Sequence, residues 1–172
     1  MTLISIRQSS TKFGPTDSLS STGVGDVATL AMAVRTAADL GASVINISSV
    51  ACAESAFDDR ALGAALSYAV DVKDAVVVAA AGNVGGEGQC PAQNTAPQPR
   101  VIASPAWYDD YVLTVASVND DGAASAFSLN GPWVDVAAPG EGVVSLDRTG
   151  PGVVDTMPGT AGPVAISGTS YA

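Results

Sequence analysis

The sequence predicts an α/β fold with a mainly parallel sheet, on three observations. Short runs rich in Val, Ile and Ala alternate with longer segments whose apolar residues recur at helical spacing. The run Ala75–Ala80 is continuously apolar, as expected for a parallel strand that is covered on both faces. Of the 172 residues, 47% are apolar and only 14% are charged, which favours a packed domain over a disordered chain.

The predicted elements alternate along the chain. We predict parallel strands at Leu3–Ile6, Val44–Ser48, Val76–Ala80 and Val112–Val118. Helices are predicted over residues 27–40 and 56–72, the first capped by Asp26 and ended by Gly41 in a left-handed conformation. Because strand–helix–strand crossovers in one sheet are right-handed, this order restricts the topology to a few arrangements.

Charge and residue content exclude several functions. The net charge of −10 disfavours a nucleic-acid partner, which requires a basic surface. No apolar run reaches the length of a membrane span, and no basic leader follows Met1, so we expect neither a signal peptide nor an anchor in this chain. The chain contains no histidine, so a histidine base would have to come from outside it.

Three short motifs occur in a suggestive order. Ala80-Ala81-Gly82-Asn83 ends a predicted buried strand, Ala138-Pro139-Gly140 follows a β-rich stretch, and Gly168-Thr169-Ser170 stands where a helix would begin. A serine at a helix N-terminus has unpaired backbone N–H groups near its oxygen, which suits a nucleophile that develops negative charge. The amide of Asn83 can donate a hydrogen bond into a cleft at the carboxyl edge of the sheet.

In this order the motifs resemble those of the subtilisin-like serine proteases. Within that family, the stretches Leu3–Ser10 and Val44–Cys52 and the loop around Cys90 are similar to the mycosins, membrane-anchored proteases of actinobacterial type VII secretion systems. The resemblance implies a subtilisin-like three-layer αβα fold, incomplete here: residues 1–172 would form part of a peptidase domain. The segment with the catalytic Asp and His, and the helix after Ser170, would lie outside the chain.

The resemblance also implies roles for matched positions. Ser170 corresponds to the nucleophile, and Asn83 to the side-chain donor of an oxyanion hole whose other donor is the Ser170 backbone N–H. Substrate-binding positions would be Ser48, Ser49, Val50, Ala80, Ala81, Gly82 and Ala103. The substrate would be a peptide or protein, with no metal or cofactor in the chemistry. The intact protein would be anchored at the cell envelope outside the cytoplasm, in association with the secretion machinery.

Two further features concern backbone and cysteines. The matching family position is a cis proline, so the resemblance predicts a cis Ser104–Pro105 peptide. By their spacing alone, Cys52 and Cys90 form either a disulfide or two buried thiols. Because both follow neighbouring parallel strands at the carboxyl edge of the sheet, we predict a disulfide in the exported protein.

The sequence is also compatible with two rival functions. The chain could be a truncated, inactive subtilase fragment that serves at most as a scaffold or binding piece, because it contains no histidine. It could instead be a nucleotide-binding domain, since residues 23–28 fit the pattern G-x-G-x-x-A. That pattern normally follows its strand directly, whereas here a long polar stretch intervenes.

Overall fold

The computed structural model describes residues 1–10, 24–86, 89–95, 98–159 and 162–172. The strands in these ranges are β1 (Val44–Ile47), β2 (Ala51–Ala53), β3 (Val76–Ala80), β4 (Ile102–Ser104), β5 (Val112–Val118), β6 (Val136–Pro139), β7 (Ser145–Leu146), β8 (Val153–Val154), β9 (Thr156–Gly159) and β10 (Gly162–Ala165). A parallel sheet with the spatial order β1–β3–β5–β6 forms the centre. The pairs β2–β4, β7–β8 and β9–β10 are antiparallel.

Helix α1 (Val27–Asp39) begins and ends as the sequence predicts. The Thr29 backbone N–H donates to Asp26 Oδ1 at 2.8 Å, and the Asp26 N–H donates to Thr29 Oγ1 at 2.8 Å. This reciprocal capping satisfies two of the N–H groups that a helix start leaves unpaired. Gly41 follows the helix with φ 79°, in the left-handed region.

Helix α2 (Arg60–Ser67) starts later than the predicted residue 56 and continues into a π-helical turn, Tyr68–Val72. The residues before Arg60 are held in other contacts. The ring of Phe57 stacks on Trp107, with ring centroids 5.9 Å apart, and the Asp59 carboxylate accepts hydrogen bonds from the loop after β4. These tertiary contacts outweigh the helix propensity of the alanine before them.

The helices cover one face of the sheet. Apolar side chains of α1 and α2 pack there against strand residues of the same face, and the cluster comprises Leu30, Ala31, Val34, Ala37, Ala38, Ile45, Ile47, Leu62, Ala65, Leu66, Ala69, Ala75, Val77, Ala79 and Val112. We call this the covered face. It contains the main core of the described chain.

In the described part of the chain, the opposite face of the sheet, the open face, is exposed toward the amino ends of its strands. Toward their carboxyl ends it is buried, at Ala80 and Val115. Val44 and Val76 are partners in the ladder and are 61% and 53% exposed. Leu113 and Val136 on the same face are 41% and 47% exposed. The described residues therefore form two layers of the expected three-layer arrangement, a subtilase-like α/β fold with a parallel sheet.

The predicted strand Leu3–Ile6 is wrong, because this segment pairs with none of the described strands and Leu3 is 84% exposed. The residues after it are attached to the start of α1 instead. Thr29 Oγ1 donates to the side chain of Gln8, and Ser10 pairs with Val24. The fourth strand of the sheet is β6, which lies at the edge opposite β1.

A second, smaller core lies around the β2–β4 ribbon. It contains Val101, Ala103, Leu129 and Trp133, with both cysteines. Cys52 and Cys90 are disulfide-bonded with their Cα atoms 5.2 Å apart, and the Ser104–Pro105 peptide is cis, as predicted. None of the helices in the described ranges has the length and apolarity to cross a membrane.

Candidate active site

The three sequence motifs meet at the carboxyl edge of the sheet. Gly140 directly follows β6, and its carbonyl accepts a hydrogen bond from the Gly168 N–H at 2.8 Å. The next residue, Thr169, donates from both its backbone N–H and its hydroxyl to Asn83 Oδ1, each at 3.0 Å. The Gly-Thr-Ser segment is therefore held between the ends of two strands of the parallel sheet, β3 and β6.

The backbone at Asn83 is fixed on both sides. The Gly82 carbonyl accepts a hydrogen bond from the Leu129 N–H at 2.9 Å, and the Asn83 carbonyl accepts one from the Cys90 N–H at 2.8 Å. The Gly82 N–H donates to Thr169 Oγ1 at 3.2 Å. Gly82 has φ 104°, a conformation that glycine adopts without strain.

These contacts also orient the side-chain amide of Asn83. Its Oδ1 atom accepts both bonds from Thr169, so the opposite end of the amide group, Nδ2, is left as a donor. Within the described ranges no group accepts a hydrogen bond from Nδ2. Gly168 packs beside it, since a Cβ added there would lie 3.4 Å from Nδ2. A glycine at this position therefore keeps the space next to the amide open.

Ser170 lies opposite Ser48, the residue after β1. The Ser170 hydroxyl donates to the Ser48 carbonyl at 3.2 Å, and the Ser48 hydroxyl donates to the Ser170 carbonyl at 3.2 Å. The backbone N–H of Ser170 has no acceptor among the residues that the structure describes. Two donors thus lack an acceptor in the described structure, the Ser170 N–H and Asn83 Nδ2. Thr169 links them, because it precedes Ser170 in the chain and is hydrogen-bonded to Asn83.

A pocket of about 260 Å³ contains these groups, lined by Ser48, Val50, Cys52, Gly82, Asn83, Gln89, Cys90, Thr169 and Ser170. The structure thus brings together five of the nine predicted catalytic and substrate-binding residues. The other four do not line this pocket. Ala80, Ala81 and Ala103 are buried in the core, and Ser49 is exposed beside it. Ala103 pairs with Cys52 across the β2–β4 ribbon.

Sequence reasoning missed four residues of the lining. Thr169 stands inside the Gly-Thr-Ser motif, and its hydroxyl could have been recognised as a partner for Asn83. Cys52 and Cys90 were predicted as a disulfide, but their position in the pocket wall depends on how β2 and the loop after β3 pack. Gln89 carries no sequence signal. Of the described lining residues, none has an ionisable side chain.

A larger pocket of about 520 Å³ lies at the starts of α1 and α2, away from Ser170. The buried Asp59 beside it accepts hydrogen bonds from Ser104 Oγ at 2.6 Å, Trp107 Nε1 at 2.8 Å and the Tyr108 hydroxyl at 2.8 Å. Burial, with the hydrogen bond to Asp59 next in importance, raises the pKa of Tyr108 to about 12. Because the carboxylate is fully engaged, we interpret this cluster as structural.

A comparison with models of protein families shows which family the chain belongs to. Residues 9–172 match the model of the peptidase S8, or subtilase, family. The chain belongs to the subtilase family. The fold and the placement of the three motifs described above agree with this membership.

Among subtilases, the chain is similar to the mycosins. It is 67% identical to Mycosin-4 of Mycobacterium tuberculosis (strain ATCC 25618 / H37Rv) over 177 residues, which cover 100% of the chain and 39% of that relative. A crystal structure of MycP1 from Mycobacterium smegmatis superposes with a TM-score of 0.78 at 46% identity, covering 84% of this chain and 40% of that one.

A third relative is part of an assembly. A chain in the structure of an intact ESX-5 inner membrane complex matches with a TM-score of 0.76 at 42% identity, covering 84% of this chain and 36% of that one. The chain thus spans about two fifths of the length of the relatives that it matches.

Proposed function

We propose that the chain is the part of a serine endopeptidase domain that carries the nucleophile, Ser170, and the oxyanion donors. One observation carries the proposal: Ser170 lies in a pocket with two N–H donors, its own and Asn83 Nδ2, that have no acceptor in the described structure. Donors held ready in this way stabilise an oxyanion without reorganisation during the reaction.

In the proposed reaction the Ser170 oxygen attacks the carbonyl carbon of the scissile peptide bond and loses its proton to a base. The carbonyl oxygen becomes an oxyanion that accepts hydrogen bonds from Asn83 Nδ2 and the Ser170 N–H. The amine leaves with the proton that the base returns, and water then hydrolyses the ester on Ser170. Thr169 contributes by holding Oδ1 of Asn83, which keeps Nδ2 directed to donate.

The base is the missing component. The chain has no histidine, and the Ser170 hydroxyl donates to a backbone carbonyl, which cannot take a proton at neutral pH. The subtilisin-like family uses a histidine oriented by an aspartate, from a segment that precedes the residues matched here. We therefore propose that these 172 residues form part of a peptidase domain, and that alone they do not hydrolyse peptides at an enzymatic rate.

The substrate backbone would pair with Ser48, Ser49 and Val50, which follow β1 and border the pocket. Ser48 and Val50 line it, and Ser49 is exposed. An extended peptide added to such an edge gains main-chain hydrogen bonds. By the similarity to mycosins and to a chain of the ESX-5 complex, we also propose that the intact protein works at the cell envelope with type VII secretion machinery.

The experiment compares the chain with a chimera in which it replaces the matching segment of Mycosin-4, using fluorogenic peptides as substrates. We expect turnover only by the chimera, and its loss on Ser170→Ala. Asn83→Leu should lower turnover by about 10²–10³-fold. Ser167→Ala is the matched control, because it removes a neighbouring hydroxyl that accepts a bond from Gly142 N–H and has no role in the reaction.

Two outcomes would overturn the proposal. Hydrolysis by the chimera that persists after Ser170→Ala would remove the assignment of the nucleophile. Hydrolysis by the isolated chain that depends on Ser170 would show that no external base is needed. A chimera that folds, as judged by circular dichroism, but never hydrolyses any peptide would favour the alternative of a scaffold or binding piece.

A further inference from the structure

We infer that the Cys52–Cys90 disulfide is a specificity-determining wall of the substrate pocket, which limits the size of the side chain that the site accepts beside Ser170. The inference rests on the proposed function, because it assigns the pocket next to Ser170 to the substrate. It goes further in naming a covalent cross-link as the element that selects substrates with small side chains.

The position of the disulfide supports its role as a pocket wall. Both half-cystines line the same pocket of about 260 Å³ as Ser170 and Asn83. Cys52 lies on β2, two residues beyond the proposed substrate edge, and Cys90 follows the turn after β3. The bond therefore connects the segment after β1 with the segment after β3, and both segments line the pocket.

The packing at Gly82 shows how closely this wall approaches. A Cβ built at Gly82 would lie 3.1 Å from the Cys90 sulfur and 3.5 Å from a methyl group of Val50. Any side chain at Gly82 would therefore crowd the Cys90 sulfur, so the disulfide packs directly against the backbone leading to Asn83. Because the sulfur atoms also line the pocket, we expect a bulky substrate side chain to collide with them.

The backbone of Cys90 adds a second restraint. Its N–H donates to the Asn83 carbonyl at 2.8 Å, so the residue that forms the wall also holds the residue that would bind the oxyanion. Cys90 is 6% exposed and belongs to the second core with Leu129 and Val101. A wall supported in this way is fixed before substrate arrives, which is what discrimination by size requires.

The test measures kcat/KM of the Mycosin-4 chimera for two peptides that differ only in the residue whose carbonyl is attacked, alanine or phenylalanine. We expect a preference for alanine, and at least about a tenfold smaller preference in the Cys52→Ala/Cys90→Ala variant, since a single methylene group is worth about ten- to 200-fold in such pockets. Val101→Ala is the matched control, because it removes core volume from the same cluster without touching the pocket.

The inference would be overturned if the folded Cys52→Ala/Cys90→Ala variant kept the same preference for the alanine peptide. An equal change in that preference in the Val101→Ala control would also overturn it. If the variant does not fold, the unmodified oxidised chain is titrated with both peptides and followed by NMR. We expect the alanine peptide to shift the amide signals of Cys52 and Cys90 and to bind at least about tenfold more tightly. Equal binding, or absent shifts at these residues, would overturn it. Ser170-independent hydrolysis would instead count against the proposed function.

Discussion

The two faces of the central sheet are built from the same residue types, but they differ in exposure at the amino ends of the strands. On the covered face, Val77 is 1% exposed and Ile47 is 5% exposed beneath the helices. On the open face, Val44 and Val76 are more than half exposed, although they alternate with those residues along the same strands. The difference teaches that apolar composition shows where a strand can be buried, while the packing partner decides which face is buried.

The sharpest test of this comparison is a matched pair of leucines. Leu66 of α2 is completely buried in the cluster on the covered face, whereas Leu113 of β5 is 41% exposed on the open face. Leu66→Ala should lower the free energy of unfolding by about 2–5 kcal/mol, through lost burial and a residual cavity. Leu113→Ala should change it by no more than about 0.5 kcal/mol, as for other surface positions. Urea denaturation of both variants gives the measurement; equal losses would contradict the comparison.

The second prediction concerns the buried carboxylate at the start of α2. Asp59 is 4% exposed and accepts three side-chain hydrogen bonds. Asp59→Ala leaves those donors unsatisfied in the interior, so we expect a loss of about 1–3 kcal/mol or more in the free energy of unfolding. The control Asp58→Ala removes an exposed pair with Arg60 and should cost little. A similar loss of unfolding free energy in both variants would show that the buried hydrogen bonds of Asp59 contribute no more than the exposed pair of Asp58.

The third prediction uses alkaline pH. The pKa of Tyr108 is raised to about 12, above the value of about 10 for a tyrosine in an unfolded chain. Its contribution to stability is therefore fully present below pH 10 and is lost as the pH rises from about 10 to about 12, because the unfolded chain ionises first. Thermal denaturation at several pH values should show this decline. Tyr108→Phe should reduce its steepness; an unchanged pH profile would place the titration elsewhere.

The smallest expected effect lies on the solvent side of the helix layer. The Asp39 carboxylate accepts hydrogen bonds from the Tyr68 hydroxyl at 2.7 Å and from Arg35 Nε at 2.8 Å, with Lys73 Nζ at 3.2 Å. The bond from Tyr68, followed by that from Arg35, holds the pKa of Asp39 well below its usual range. The stabilisation is present above about pH 4 and is lost as the pH falls below it.

Asp39→Asn should therefore flatten the acid side of the stability profile, with a modest change at neutral pH because the group is exposed. Added salt should weaken the wild-type advantage. A variant whose acid profile matches that of the wild type would show that this network does not hold α1 to the turn after α2.

Much of the fold could be predicted, because its main elements depend on local signals. The cap at Asp26, the glycine at position 41 and the Val-rich runs of β1, β3 and β5 are each specified by neighbouring residues. The predicted strand Leu3–Ile6 failed since pairing at a sheet edge depends on competing contacts, here those of Gln8 and Ser10 with the start of α1. The start of α2 failed for a similar reason, because Phe57 and Asp59 are held by the loop after β4.

The residues of the candidate site likewise fall into two groups, those marked by local sequence motifs and those placed by tertiary contacts. Ser170 and Asn83 could be found because each ends a short motif of fixed spacing, and the structure brings both to one pocket. The full lining could not be deduced, since Gln89 and Cys90 lie on a loop and Cys52 lies on the short strand β2, and tertiary contacts set where both segments run. Ala103 was predicted as a substrate-binding position; the β2–β4 ribbon pairs it with Cys52 in the second core, and its role stays a prediction.

The hydrogen bonds of the site join residues that are far apart in sequence. Thr169 and Asn83 are separated by 86 residues, and Ser170 and Ser48 by 122. Closing loops of this length costs chain entropy before any contact repays it, so such contacts form late in folding. We therefore expect the site to assemble only after β1, β3 and β6 have docked in the sheet. A partly folded chain would keep Ser170 apart from Asn83. Under the proposed function, the order of folding would therefore delay the formation of the catalytic site.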